Sequence, residues 1–194
     1  MYEILEKRTL NANTTLMKVH APFVAKKAQP GQFIILRVDK QGERIPLTIA
    51  EYDREAGTIT IIFQSIGAST MKLALLEEGQ SVHDFVGPLG RASELEGLKK
   101  VAVVGGGLGC AIAYPQAKAL HEMGCQVDLI AGFRNKDIII GSTQPISLFT
   151  YMTETKIVSC LTKETSASIS TLPLSSTGAK LISNPISSKN NNGS

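Results

Sequence analysis

The stretch Val101–Ala119, VAVVGGGLGCAIAYPQAKA, decides how the rest of this chain is read. Val101, Val103 and Val104 meet glycines at 105, 106, 107 and 109, after which a helical pattern begins. The order is strand, tight turn and helix start. Glycines at such a turn admit positive φ and let a ligand approach the backbone. The helix that follows presents unpaired N–H groups and the positive end of its dipole. A nucleotide diphosphate suits that place. The dinucleotide fingerprint is met only in part. Cys110 stands where a third glycine belongs, and Asp128 opens the next apolar run, whereas the ribose-binding acid belongs at its end. By itself the turn fits two readings equally, a nucleotide site or close packing of a helix on a sheet.

Downstream, a helix is expected from about Gly109 to Met123, absorbing Pro115 and stopping at Gly124. A second strand covers Gln126–Ala131, and Gly132-Phe133-Arg134-Asn135-Lys136 precedes a short run at Asp137–Ile140. Strand, helix, strand predicts a parallel sheet. After Gly141 the character changes: Ser and Thr dominate, no period persists, and the chain ends in SNPISSKNNNGS. Residues 142–194 are therefore expected to be an atypical tail, disordered or out of frame. Translation of the gene's other open frame tests the second option, because lost coding sequence there would show periodic apolar segments.

Upstream, apolar or alternating runs at Tyr2–Leu5, Thr15–His20, Phe33–Val38, Leu47–Glu51, Thr58–Gln64 and Ser81–Val86 are separated by turn residues such as Pro30-Gly31 and Ala56-Gly57. Spacing of this kind predicts a small antiparallel barrel. One helical interruption is expected, capped by Ser69 or Thr70 and running through Glu77, with Met71, Leu75 and Leu76 on one face and Gly79 as its stop. Gly87-Pro88-Leu89-Gly90 ends the barrel. The expected division is a barrel over 1–97, an incomplete nucleotide-binding α/β domain over 98–141 and the tail over 142–194.

Composition narrows the classes. With 194 residues, 43% hydrophobic and 19% charged, and a net charge of +3, the chain has no basic field that points to nucleic acid. Trp is absent and aromatics are few, so no base-stacking platform is visible. No apolar run is long enough to span a membrane, and the start MYEILEKR carries charge where a signal peptide needs an apolar stretch. The expectation is a cytoplasmic protein with no membrane or nucleic-acid partner. Cys110, Cys125 and Cys160 form no C-x-x-C pair and read as packing or incidental thiols. His20, His83 and His121 lack ligand spacing.

Six motifs, taken together, resemble a known family: Pro30-Gly31-Gln32-Phe33, Glu43-Arg44-Ile45-Pro46-Leu47-Thr48-Ile49, Gly67-Ala68-Ser69-Thr70, Gly87-Pro88-Leu89-Gly90, Gly105-Gly106-Gly107-Leu108-Gly109 and Gly132-Phe133-Arg134-Asn135-Lys136-Asp137. Their order is that of the ferredoxin-NADP reductase-like flavoproteins. Within that family the chain is similar to the small (alpha) subunit of NADH-dependent reduced ferredoxin:NADP oxidoreductase and to the electron-transfer subunit of dihydroorotate dehydrogenase. The resemblance covers roughly residues 1 to 140.

It implies an FAD-binding barrel followed by a Rossmann-like domain for NAD(P)H, with electrons passing through the flavin to an iron–sulfur partner. It implies further that Pro46, Leu47 and Thr48 lie along the flavin, Leu47 against the ring and Thr48 at its N5 edge. Gly67, Ala68, Ser69 and Thr70 would receive the diphosphate, with Gly87 and Pro88 beside the cofactor. Gly105, Gly106, Gly107, Leu108 and Gly109 would adjoin the nicotinamide nucleotide, and Arg134 a phosphate or ribose. In much of the family an arginine directly precedes the proline and pairs with the FAD diphosphate. Here Ile45 takes that place, and Arg44, one residue earlier, would point to the opposite face if both lay in one strand. The named subunits end in a cysteine cluster for a [2Fe–2S] centre, for which solitary Cys160 supplies no match. The implied partner is a larger flavin and iron–sulfur subunit, with ferredoxin reached indirectly. The alternatives are an FAD-binding module without NAD(P)H turnover and a non-functional truncated product.

Overall fold

The computed structural model describes residues 2–133 and the strand 180–182. The first part is an antiparallel sheet of seven strands: β1 (Tyr2–Asn11), β2 (Thr14–His20), β3 (Phe33–Arg37), β4 (Ile45–Asp53), β5 (Thr58–Gln64), β6 (Ser81–Val82) and β7 (Asp84–Leu89). Their order is β6-β1-β2-β5-β4-β3-β7. The two outermost strands, β6 and β7, are separated by the single residue His83, so the sheet curls until the chain itself nearly closes the barrel. At the centre, β5 reads TITIIFQ and is buried from Thr58 to Phe63. Its inward residues Ile59, Ile61 and Phe63 fill the barrel with Ile4, Met17, Ile34, Ile49 and Phe85. Outward Ile62 is buried as well, because another layer covers that side.

That layer is an α/β unit. β8 (Lys100–Gly106) and β9 (Gln126–Gly132) pair in parallel in register from Lys100↔Gln126 to Gly106↔Gly132, and α3 (Gly109–Glu122) crosses between them. Val101, Val103, Val127 and Leu129 meet Ala113, Ala117 and Leu120 in its core. Leu95 and Leu98 pack there too, so the connection from the barrel already belongs to this core. Pro115 sits inside α3, as expected, and Gly124 ends it at φ +80°. From the stretch read as a tail, Lys180–Ile182 is described as β10, parallel to β8. Arg134, the expected strand at Asp137–Ile140 and the rest of 142–194 lie outside the described residues. Among the described residues no helix is long and apolar enough to cross a membrane.

Local expectations shift in three places. β1 continues to Asn11, far past Leu5, because it stays paired with β2: Glu6 takes Lys18 across the hairpin at 2.9 Å and Arg8 on its own strand at 2.6 Å. A short helix, α1 (Pro22–Lys27), starts on a proline that needs no N–H acceptor. The barrel helix, α2, is Ala68–Ala74 with Gly67 as its N-cap, not Ser69 or Thr70, and it stops before Gly79. Its buried residue is Leu73, while Met71 and Leu75 are exposed.

Glu6 yields a prediction. The hydrogen bond from Lys18 chiefly, with Arg8, outweighs partial burial and holds its carboxyl below the usual glutamate value. A depressed carboxylate contributes stability above its unfolded pKa and loses it as pH falls through the folded one. Glu6→Gln should flatten the acid limb of the stability profile below the ordinary glutamate range, by ~1 kcal/mol or less for a partly exposed pair. Urea midpoints at pH 6 and pH 3 measure it; equal acid sensitivity in the variant contradicts it.

Candidate functional site

The barrel candidates gather at the start of β4 and around α2. Arg44 precedes β4, so strand alternation does not govern it, and the objection raised by the intervening Ile45 falls. Its loop is tied to α2 twice. The Ser69 hydroxyl donates to Glu43 Oε2 at 3.1 Å, and Lys72 pairs with Asp39. The Arg44 guanidinium lies 3.7 Å from Asp84 Oδ2 on β7. Within β4, Ile45 and Leu47 pack on the barrel core, so Leu47's burial is accounted for inside the chain. Alternation turns Pro46 and Thr48 to the outer face. The Thr70 hydroxyl is taken up locally: it accepts from Gly67 N at 3.1 Å and Ile66 N at 3.2 Å and donates to Gly67 O at 3.0 Å.

The glycines divide by what a side chain would meet. A Cβ on Gly87 would stand 2.7 Å from Ile34 Cγ2, and one on Gly105 would stand 2.9 Å from Cys110 Cα. Packing explains those two. Gly107 turns the chain at φ +53°, its N–H donating to Gly132 O at 2.8 Å. Gly67 and Gly109 differ: neither has a positive φ, and a Cβ on either would meet nothing within 4 Å. Gly106 is similarly open, with only Gly132 O at 4.0 Å. Among the described residues, neither the backbone conformation nor the packing asks for glycine at 67 or 109. Pro88 lies in β7 next to Gly87, and Ala68 is exposed at the start of α2.

One surface connects both halves. Ala50 lies on the outer face of β4, on the same side as Thr48 and ~7 Å further along the strand. With Leu16 and Ile62 it packs against Cys110, Ala111 and Tyr114 of α3 and Ala131 and Phe133 at the end of β9, and Leu108 joins the cluster. Beyond it, Lys118 on α3 pairs with Glu51 at 2.8 Å. The outer face of β4 thus runs from Pro46 and Thr48 to the glycine turn that opens α3.

Cys110 is buried in this seam, and burial pushes its thiol up to about 11, against the helix-terminus effect. It is a packing thiol. At pH 8 it should resist alkylation in the native chain and label fully in denaturant, as read by peptide mass spectrometry; labelling in the native state would show that the seam opens.

The chain is similar to known proteins. A Thermotoga maritima protein, named a homolog of the electron transfer subunit of dihydroorotate dehydrogenase B (NAD(+)), is 42% identical over 138 residues, 71% of this chain and 49% of its own. The Fusobacterium nucleatum electron transfer subunit of that enzyme is 34% identical over 131 residues, 64% of this chain and 50% of its own. The structure of an NADH-dependent reduced ferredoxin-NADP oxidoreductase, solved for insight into flavin-based electron bifurcation, matches at TM-score 0.74 and 36% identity, over 82% of this chain and 58% of its own. Over the matched part the chain is similar to the ferredoxin-NADP reductase-like flavoproteins. No family model matches it. An Amycolatopsis cytochrome P450 reductase, 19% identical with a TM-score of 0.71, shares the fold.

This ferredoxin-NADP reductase-like chain spans about half the length of the curated relatives it matches. Sequence reasoning missed a group that the fold brings to Arg44. Asp84 accepts from Arg37 Nη2 at 2.6 Å and shares a hydrogen bond with His83 Nδ1 at 2.9 Å. Partial burial opposes ionisation of Asp84, but the His83 bond and Arg37 outweigh it and hold its carboxyl below the usual aspartate value. Arg37 and Asp84 face each other only through β3–β7 register. The one sequence signal was the adjacent polar residues His83-Asp84, directly ahead of Phe85-Val86-Gly87-Pro88.

Proposed function

We propose that this chain is a cytoplasmic electron-transfer flavoprotein subunit that holds FAD on its barrel and passes electrons between NAD(P)H and an iron–sulfur partner. The observation that carries the reading is the pair of open glycines, Gly67 and Gly109, at the two ends of the surface formed by α2, the outer face of β4 and the mouth of α3. Glycine without a conformational or packing demand is explained by a ligand that needs the space. The names of the relatives point the same way.

Bound there, FAD would supply hydride acceptance from a reduced nicotinamide and stepwise release of electrons. The chain's own contribution is placement. Thr48 offers a hydroxyl on the outer face of β4, Arg44 a positive charge, Ser69 a donor, and Gly67 and Ala68 a close approach to backbone. Gly105–Gly109 offers a backbone turn to the nicotinamide nucleotide, with Arg134 a further contact. Among the described residues no group of three or more His, Cys, Asp or Glu is placed to hold a metal. Cys110 lies in the first turn of α3, whereas Cys125 follows the helix and donates its N–H to Leu120 O, so ~15 Å of helix rise lies between them. The iron–sulfur cluster is assigned to a larger flavin and iron–sulfur subunit, through which ferredoxin is reached.

The visible spectrum of the purified 194-residue chain, before and after incubation with FAD, is the test. Two bands of protein-bound oxidised flavin are expected, bleached on adding NADH or NADPH under nitrogen. A folded chain that stays colourless with excess FAD refutes the reading. A second reading is an FAD-binding module without turnover, marked by stable flavin bands that neither nucleotide bleaches.

A further inference from the structure

We infer that Asp84 is a positioning residue for Arg44, holding its guanidinium in place so that a cofactor phosphate meets a pre-placed arginine. The inference rests on the proposed FAD site. Arg44 sits in a loop with its side chain 64% exposed, and among the described residues its ionic partner is Asp84 Oδ2, at 3.7 Å. A free arginine at that place would lose much rotamer freedom on binding a phosphate. Asp84 is itself well fixed. Its other oxygen is shared with His83 Nδ1 at 2.9 Å, and Arg37 Nη2 reaches Oδ2 at 2.6 Å. Arg37 is anchored in turn, its Nη1 donating to Lys40 O at 3.2 Å and its backbone carbonyl accepting from His83 N at 3.0 Å.

The charges decide between holding and sequestering. Two guanidiniums share one carboxylate. Arg37, 21% exposed and in the short contact, neutralises Asp84. Arg44, exposed and in the long contact, keeps its charge available to an anion. A carboxylate meant to withhold Arg44 would lack that compensating partner. The loop is tied down separately, by Glu43 on Ser69 and Asp39 with Lys72, so within that loop Asp84 bears on the side chain of Arg44.

The test is a double-mutant cycle on FAD affinity, read by quenching of flavin fluorescence with the full chain, alongside thermal midpoints of the FAD-free proteins. Arg44→Ala should raise the dissociation constant about tenfold, the loss of a charge-assisted contact. Asp84→Asn should raise it about three- to fivefold, and Asp84→Glu should restore most of the loss. In the Arg44→Ala background, Asp84→Asn should have no further effect on affinity. An equal loss in both backgrounds assigns Asp84 a purely structural role and overturns the inference. Tighter FAD binding by Asp84→Asn overturns it also, by showing that Asp84 withholds Arg44. If the wild-type chain binds no FAD, the proposed function itself fails; if it binds FAD and Asp84→Asn is unchanged, only this inference fails.

Discussion

Gly105→Val is expected to loosen the α/β unit while leaving the barrel intact. A Cβ at that position would stand 2.9 Å from Cys110 Cα, 3.1 Å from Cys110 N and 3.2 Å from Ala113 Cβ. Two of those atoms are helix backbone, which cannot turn aside as a flexible side chain does. The whole first turn of α3 must lift from β8. Doing so parts Val101 and Val103 from Ala113, Ala117 and Leu120, and draws Cys110 and Ala111 away from Ala50 and Ile62. Overpacking of this kind costs ~3 kcal/mol or more when the clash is with backbone. Native-state hydrogen exchange resolves where the loss falls: amides of β8, α3 and β9 should exchange ~100-fold faster, as 3 kcal/mol implies, while those of β2 and β5 stay protected. Uniform protection in the variant would mean that α3 does not rest on Gly105 as closely as these distances state.

Gly67→Asn is expected to separate cofactor binding from folding. Asparagine is among the best N-cap residues, so the cap of α2 should hold or improve. The backbone at Gly67, φ −115° and ψ 167°, suits any residue. A Cβ there meets no atom of the described residues within 4 Å, so the thermal midpoint of the FAD-free chain should not fall. FAD affinity should drop about tenfold or more, because the new side chain occupies the space assigned to the ligand; tenfold is ~1.4 kcal/mol. Unchanged FAD affinity would remove the open glycines as support for the site. Loss of both stability and affinity would show that Gly67 serves the fold after all.

Both variants rest on glycines that look alike in the sequence. GGGLG at 105–109 and GAST at 67–70 announce turns and helix starts, and they were legible as such because positive φ, helix capping and close approach are local demands. Which glycine serves packing and which leaves room was not legible, since it depends on what stands opposite: α3 backbone over Gly105, and none of the described residues over Gly67 or Gly109. Arg44 illustrates the same limit from the other side. Alternation along an assumed strand set it apart from the phosphate, yet the strand begins one residue later. Element boundaries depend on which backbone groups find cross-strand partners, and Ile45 finds Leu36 while Arg44 is left to the loop.

The sequence by itself determined the element types wherever a local period was strong: the β-branched run of β5, the strand–turn–helix of Val101–Ala119 with its stop at Gly124, and the barrel-then-α/β order that its six motifs carry in common with flavoproteins. Those features follow from short-range sterics and from the apolar face each element must bury. Only the tertiary structure decided that β1 runs to Asn11, that Cys110 is a sealed packing thiol, that Ala50 carries the outer face of β4 to the mouth of α3, and that Arg37, His83 and Asp84 converge beside Arg44. Each of these depends on register between segments far apart in the chain, and register is set when the barrel curls and the α/β unit docks on it, so no local period encodes it.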